Sequence, residues 1–353
     1  MDYPPQSREI ALSEHLYRFL LRAYPRAFRE EYAFEMLLVF RDILREASRQ
    51  QGTPGVFRLW RDTFDDYVKS VCIEHVRNWI ERGKRDFALA GKDQLAMALQ
   101  FTLDVAQRTD IGLKRTNNED NLISVVPADN QLLQTKGALF VVSDGMGGHA
   151  RGEVASEMTI QKVREYYYQD RQDDIPAALQ NAIKQANIPI YQANEAEKAK
   201  GAENNGLMGS TCVAAVLHDQ TLYAANVGDS RVYVLHEGQL RQVTRDHSYV
   251  AQLVEKGEIT LAEARIHEKR NVIYRALGSQ PEIEVDLFTE PVQNGDTLIL
   301  CTDGLSGVIE DNDLRVIVEQ YGPTESVQHL IARANEEGGP DNVTAIVVRV
   351  SAA

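Results

Sequence analysis

The 353-residue sequence is 43% hydrophobic with a formal net charge of −14, and no apolar run approaches the roughly 18 residues that a membrane helix needs. Its charge is uneven, 16 Lys/Arg against 15 Asp/Glu in residues 1–95 and 22 against 37 in the rest, and an acidic portion without a basic stripe argues against nucleic acid as partner. Cys72, Cys212 and Cys301 have no ligand-like spacing and Met1-Asp2-Tyr3-Pro4-Pro5 does not open a secretory signal, so the expectation is a reducing compartment, the cytoplasm, with neither a disulfide nor a zinc framework.

Residues 1–95 read as an all-helical prefix. Leu12, Leu16, Phe19, Leu20 and Ala23 keep helical spacing behind a cap at Ser13, and Pro25 interrupts the run. A second helix is expected from about 30 to 49, with Met36, Leu37, Phe40, Ile43, Leu44 and Ala47 on one face. Thr53-Pro54 then has the form of an N-cap followed by proline, opening a third helix that carries Trp60, Phe64, Tyr67, Val68 and Trp79. Three amphipathic helices make a small bundle whose aromatic stripes serve a core. Its expected role is regulatory: docking a partner or self-association. The stretch 16–29 also resembles the helical prefix of some bacterial transporter permeases, which implies an interaction module.

Residues 84–96 form a charged connector, and a second domain is expected over 96–353. From Leu99 the period changes to two, with Leu99, Phe101, Leu103 and Val105 alternating against polar neighbours. Further strands are expected near 121–126, 138–143, 211–218, 221–227, 230–236, 239–243, 283–289, 297–301 and 343–350, with helices near 153–168, 174–194, 311–320 and 324–337. Adjacent strands joined by short turns imply antiparallel sheets, and paired helices cover them, an α+β arrangement. Residues 196–208 read as an exposed loop and 245–280 as an irregular insertion.

Within this domain carboxylates recur at the ends of apolar runs. The run from Ala138 to Val142 stops at Asp144, followed by Gly145, Met146, Gly147 and Gly148, where the chain is expected to turn sharply. An isolated Asp-Gly is usually a hairpin turn; the recurrence at Glu119-Asp120, Asp229, Asp303 and Asp341 points instead to a shared site. Clustered carboxylates repel unless a cation lies between them. Carboxylates, a main-chain carbonyl and water are the ligands of hard ions, so Mg²⁺ or Mn²⁺ is expected and zinc is not. A carboxylate bridging two such ions would activate a shared water for attack on phosphorus. Arg115, just before Glu119-Asp120, is either the guanidinium partner of a phosphate or one half of a surface salt bridge.

Arg115-Thr116-Asn117-Asn118-Glu119-Asp120-Asn121, Asp144-Gly145-Met146-Gly147-Gly148-His149, Met208-Gly209-Ser210-Thr211, Gly228-Asp229-Ser230-Arg231, Thr302-Asp303-Gly304-Leu305 and Asp341-Asn342-Val343-Thr344 stand in the order found in metal-dependent protein phosphatases of the 2C type. Thr244-Arg245-Asp246-His247-Ser248 and the stretch 270–278 resemble the bacterial branch. The resemblance covers about residues 99–350. It implies two antiparallel sheets packed face to face with helix pairs outside, and hydrolysis of phosphoserine and phosphothreonine in proteins. By the same resemblance Asp144 bridges two metals and the Gly145 carbonyl joins one of them. Asp303 and Asp341 complete the other ion, and Glu119 and Asp120 hold waters or touch an ion. Asp229 serves a third, weaker ion, Arg115 binds phosphate, and 245–280 is a flap that tunes substrate choice.

One departure concerns the acid that protonates the leaving oxygen. Animal members carry histidine directly after the Asp-Gly pair, where this chain has Met146, leaving His149 or a metal-bound water to donate. Two other readings remain beside the phosphatase: a pseudophosphatase that serves as a regulatory binding module, and an enzyme of nucleotides or small phosphate esters. The retained Asp144, Asp303 and Asp341 speak against the first, and the lack of a P-loop against the second.

Overall fold

The computed structural model describes residues 101–147, 151–199 and 207–352, together with Ser13, Tyr17, Leu20, Leu21, Phe40 and Leu44. Packing divides the chain into two compact units, Met1–Gly91 and Lys92–Ala353. In the first, Tyr17, Leu21, Phe40 and Leu44 are buried, and the rings of Tyr17 and Phe40 stack with centroids 4.0 Å apart. The rest of the expected helical prefix, the connector over 84–96, Cys72 and the strand start at Leu99 lie outside the described residues.

In the second unit one antiparallel sheet is ordered β1 (Phe101–Asp110), β11 (Val343–Ala352), β10 (Thr297–Cys301), β7 (Arg231–His236) and β8 (Gln239–Gln242). The other runs β2 (Asp120–Val125), β3 (Ala138–Met146), β5 (Cys212–His218), β6 (Thr221–Val227) and β9 (Asp286–Pro291), with the short β4 (Gly209–Ser210) paired to β3. Every named pairing is antiparallel.

The strands at the centre are apolar on both faces because each face meets another layer. In β3, Phe140 and Val142 enter the core between the sheets, while Leu139 and Val141 pack under α2 (Arg151–Gln169) and α3 (Ile175–Ala199). In β10, Leu298 and Leu300 face the same central core. Ile299 and Cys301 point the other way, toward α7 (Asp311–Gln320) and α8 (Pro323–Glu336). The result is four layers, helix–sheet–sheet–helix. Cys212 and Cys301 are buried core residues whose thiol pKa values burial raises to about 12.

Three regions depart from the sequence reading. Helix α1 (Asn130–Lys136), unexpected from periodicity, is capped by Asp129, whose side chain accepts from Leu132 N–H. Residues 196–199, expected in an exposed loop, extend α3 instead. The insertion over 245–280 is not wholly irregular: it holds α4 (Tyr249–Glu255), capped by Ser248, and α5 (Leu261–Ile266), opened by a reciprocal capping box between Thr260 and Glu263. These helices are short and lean on caps more than on an apolar stripe, which is why periodicity misses them.

Candidate active site

Strand register carries the acidic residues to one end of the sandwich. Cys301 of β10 stands opposite Arg231 of β7 and Ala345 of β11. The residues just beyond, Asp303, Asp229 and Asp341, therefore leave three neighbouring strands at the same edge. In the facing sheet, Asp120 opens β2 directly opposite Asp144 in β3. Thr302 joins the two sheets: its Oγ1 donates to Asp120 Oδ2 at 2.8 Å and accepts from Thr344 N–H at 3.1 Å. Asp303 itself begins the short helix α6 (Asp303–Ser306).

Gly145 stays extended inside β3 rather than turning, which corrects the expectation of a sharp turn there. Its lack of a side chain is a packing requirement: a Cβ would lie 2.0 Å from the Gly152 carbonyl oxygen and 2.6 Å from that of Glu119. The chain first takes a positive φ at Gly147. Thr211 fixes Asp144 from below, its Oγ1 accepting from Asp144 N–H at 2.9 Å and its N–H donating to Asp144 O at 2.8 Å. Asn342 pins the loop that bears Arg115 and Glu119. Its Nδ2 donates to Ile111 O and Asn117 O, both at 2.9 Å, and its Oδ1 accepts from Glu119 N–H at 2.8 Å. Arg115 Nη2 donates to Asp341 Oδ2 at 2.8 Å.

The electrostatics show what this assembly costs. Burial, then the hydrogen bonds and neighbouring carboxylates, leaves the Asp120 pKa at about 7. Burial and then Asp120, Asp303, Asp229 and Asp341 hold Asp144 well above the usual carboxylate range. Asp229 is raised by burial and then Asp303, and Asp303 by burial and then Asp341, against a relieving hydrogen bond with Asp144. Glu119 is raised by burial more than Arg115 lowers it. Burial opposes the Arg115 charge, yet Asp341, Asp144 and Glu119 outweigh it and raise that pKa.

Two oxygens of this cluster, Asp120 Oδ1 and Asp303 Oδ1, are buried with no hydrogen-bond partner. A desolvated anion without a donor calls for positive charge, so the donor set fits a hard divalent cation. Among the described residues no three His, Cys, Asp or Glu side chains stand close enough together to hold a metal ion by themselves. A cation here would need carbonyl oxygens and water beside the carboxylates, ligands that Mg²⁺ and Mn²⁺ accept.

All of Arg115, Glu119, Asp120, Asp144, Gly145, Asp229, Asp303 and Asp341 thus meet at one edge. His149 lies outside the described residues, and Met146 closes β3 beside Gly209. A cavity of about 310 Å³ opens next to the carboxylates, bounded by Asp229, Asp303 and Asp341 on one side and by Val250, Leu261 and Ala264 of the 245–280 segment on the other. Sequence reasoning passed over the supporting groups Thr302, Asn342, Arg231 and Asp246. Each sits inside one of the sequence motifs, but its role depends on contacts made across the fold.

The family described as Protein phosphatase 2C matches residues 117–347. Serine/threonine phosphatase stp of Listeria monocytogenes is 38% identical over 246 residues, covering 68% of this chain and 93% of its own. The crystal structure of the Mycobacterium tuberculosis serine/threonine phosphatase PstP superimposes with a TM-score of 0.61 at 36% identity, covering 70% of this chain and 99% of that one. The catalytic domain of PstP in complex with two manganese ions gives a TM-score of 0.60 at 35% identity, covering 71% and 99%. The chain belongs to the protein phosphatase 2C family.

Proposed function

We propose that this chain hydrolyses phosphoserine and phosphothreonine in proteins with the help of Mg²⁺ or Mn²⁺ at the acidic edge. The carrying observation is the convergence of five aspartates, two of them with orphaned buried oxygens, beside an arginine. Asp144, Asp303, Asp341 and the Gly145 carbonyl would hold two ions, with Asp229 serving a third, weaker one. When bound, such ions offset charge on phosphoryl oxygens and lower the pKa of coordinated water.

The chain's own groups then have distinct tasks. Arg115, 47% exposed at the mouth of the site, binds the phosphate dianion by exchanging its bond to Asp341 for phosphoryl oxygens. Glu119 and Asp120 would hold metal-bound waters or touch an ion. Asp120 is held in place for this by Thr302. The thioether of Met146 has no proton to give, so the acid for the leaving alkoxide is another group.

Keeping five buried or half-buried carboxylates together is costly, which favours catalysis over a purely regulatory binding module. We also propose a cytoplasmic location; no helix among the described residues is long and apolar enough to cross a membrane. Residues 1–95 are proposed as a module for a partner or for self-association, with 96–353 as the catalytic domain. Its test is deletion of 1–95, which should preserve turnover of small substrates while changing oligomeric state or partner binding. For the reaction, turnover of a phosphothreonine peptide should require added Mn²⁺ or Mg²⁺ and stop with EDTA. Unchanged turnover in Asp303→Asn would overturn the assignment.

A further inference from the structure

The segment between β8 and β9 leaves the sandwich through Arg245-Asp246-His247-Ser248 and returns through Ile273-Tyr274-Arg275. Its two legs are joined at the base. Tyr274 N–H donates to His247 O at 2.9 Å, Tyr249 N–H donates to Val272 O at 2.8 Å, and Ser248 bridges Ile273. Two consecutive residues of the first leg then grip the turn between β6 and β7 on either side of Asp229. His247 N–H donates to Gly228 O at 2.8 Å, and Gly228 N–H donates back to His247 Nδ1 at 3.0 Å. Asp246 takes Arg231 in a two-pronged contact, Nε to Oδ1 at 3.0 Å and Nη2 to Oδ2 at 2.7 Å. On its far side the turn is blocked: Gly228 has φ +113°, and a Cβ there would lie 2.6 Å from Thr211 Cγ2.

Bond direction fixes the ring. A peptide N–H can only donate, so His247 Nδ1 is bare and Nε2 carries the proton, aimed at Asp286 Oδ2 3.2 Å away. Arg275 Nη1 lies 3.2 Å from the same Nε2; both are donors, and they converge on Asp286, whose Oδ1 takes Arg275 Nη1 at 2.7 Å. The ring is 1% exposed, and burial lowers its pKa despite the neighbouring Asp286, which keeps it neutral. Asp286 orients His247, His247 and Asp246 hold the turn, and the turn presents Asp229 to Asp303 and Asp144. Outer partners that orient a ligand in this way set its affinity.

We propose that Asp246 and His247 are positioning residues for Asp229, and that through them cation affinity at Asp229 depends on how the 245–275 segment is seated. The proposal rests on Asp229 as a cation ligand. Calorimetric titration of the full chain with Mn²⁺ tests it, using His247→Asn, His247→Gln, Asp246→Asn and, as reference, Asp229→Asn. The Asn carbonyl stands close to where Nδ1 was and can still accept from Gly228 N–H, whereas Gln reaches the Nε2 position and leaves that donor unpaired.

We expect Asp229→Asn to remove the weakest Mn²⁺-binding step. His247→Gln and Asp246→Asn should weaken the same step about tenfold or more, with the tighter steps unchanged, while His247→Asn should retain most of it. Deuterium exchange at residues 272–275 should rise in His247→Gln and stay low in His247→Asn. If Asp229→Asn removes the weak step while Asp246→Asn and His247→Gln leave it intact, the positioning role is wrong and the ligand assignment survives. If His247→Asn and His247→Gln weaken it equally, the ring serves packing alone and the proposal falls. If Asp229→Asn leaves every step unchanged, the ligand assignment fails and takes the proposal with it. Should His247→Gln not fold, Asp246→Asn against Asp229→Asn decides by the same criteria.

Discussion

Arg115 donates from Nη2 to Asp341 Oδ2 at 2.8 Å, so the cation expected to take phosphate is bonded to a carboxylate expected to take a metal. Both side chains remain open to water, 47% and 21% exposed, and an ion pair in such a setting contributes only about 0.2–1 kcal/mol. Each partner can therefore be exchanged for a better one.

The pair separates two roles for Arg115. If it binds phosphate, Arg115→Ala loses a charge-assisted contact of about 1.5–3 kcal/mol, lowering kcat/KM on a phosphothreonine peptide about 10- to 150-fold. Mn²⁺ affinity should not fall, because Asp341 is released. Steady-state kinetics beside metal titration measures both. A fall in Mn²⁺ affinity with kcat/KM unchanged at saturating metal would mean that Arg115 builds the acidic edge and does not read the substrate.

The metal-free protein should lose stability as pH rises. Asp120 moves from 3.8 to about 7 on folding, so between those values the folded chain keeps a proton that the unfolded chain has released. This contribution is fully present below about pH 4 and falls by about 1.4 kcal/mol per pH unit per retained proton through the window. Asp144, Asp229 and Asp303 are shifted in the same direction. Denaturation in EDTA at pH 5 and pH 7 should show the drop, and Asp120→Asn should lessen it by the share of one retained proton. A stability that rises over this interval would contradict the shifts.

Much of the second unit was legible because its strands are buried on both faces and its helices are long. The 221–227 and 297–301 strands match the sequence reading to the residue. Asp144 stood out because an apolar strand stopped at a carboxylate and a glycine. The reason for that glycine was not legible: Gly145 is excluded from carrying a side chain by Gly152, a neighbour brought in by α2 and not by a turn. Helices α4 and α5 were hidden because caps define them, although Thr260 and Glu263 stood three apart in plain view. Asp246 and His247 were hidden for a different reason, since their bonds go to Arg231 and to the Gly228 main chain, about 15 to 19 residues away.

Met146 supplies the cleanest test of where the leaving-group proton originates. Its thioether is no acid, so Met146→Leu, close in volume, should leave kcat and the pH profile of kcat little changed. Measuring that profile on a phosphoserine peptide checks it. A displaced pH limb would show that residue 146 governs the donor through its packing against Gly209.

Parallel Mn²⁺ titration and phosphothreonine-peptide turnover in Asp144→Asn bears on the whole assignment of the acidic edge. Asp144 stands in register with Asp120 and is raised by burial and four neighbouring aspartates. We expect the variant to fold, to lose tight Mn²⁺ binding and to lose turnover together. Retention of both metal binding and metal-dependent turnover at wild-type levels would contradict a catalytic metal centre built on Asp144.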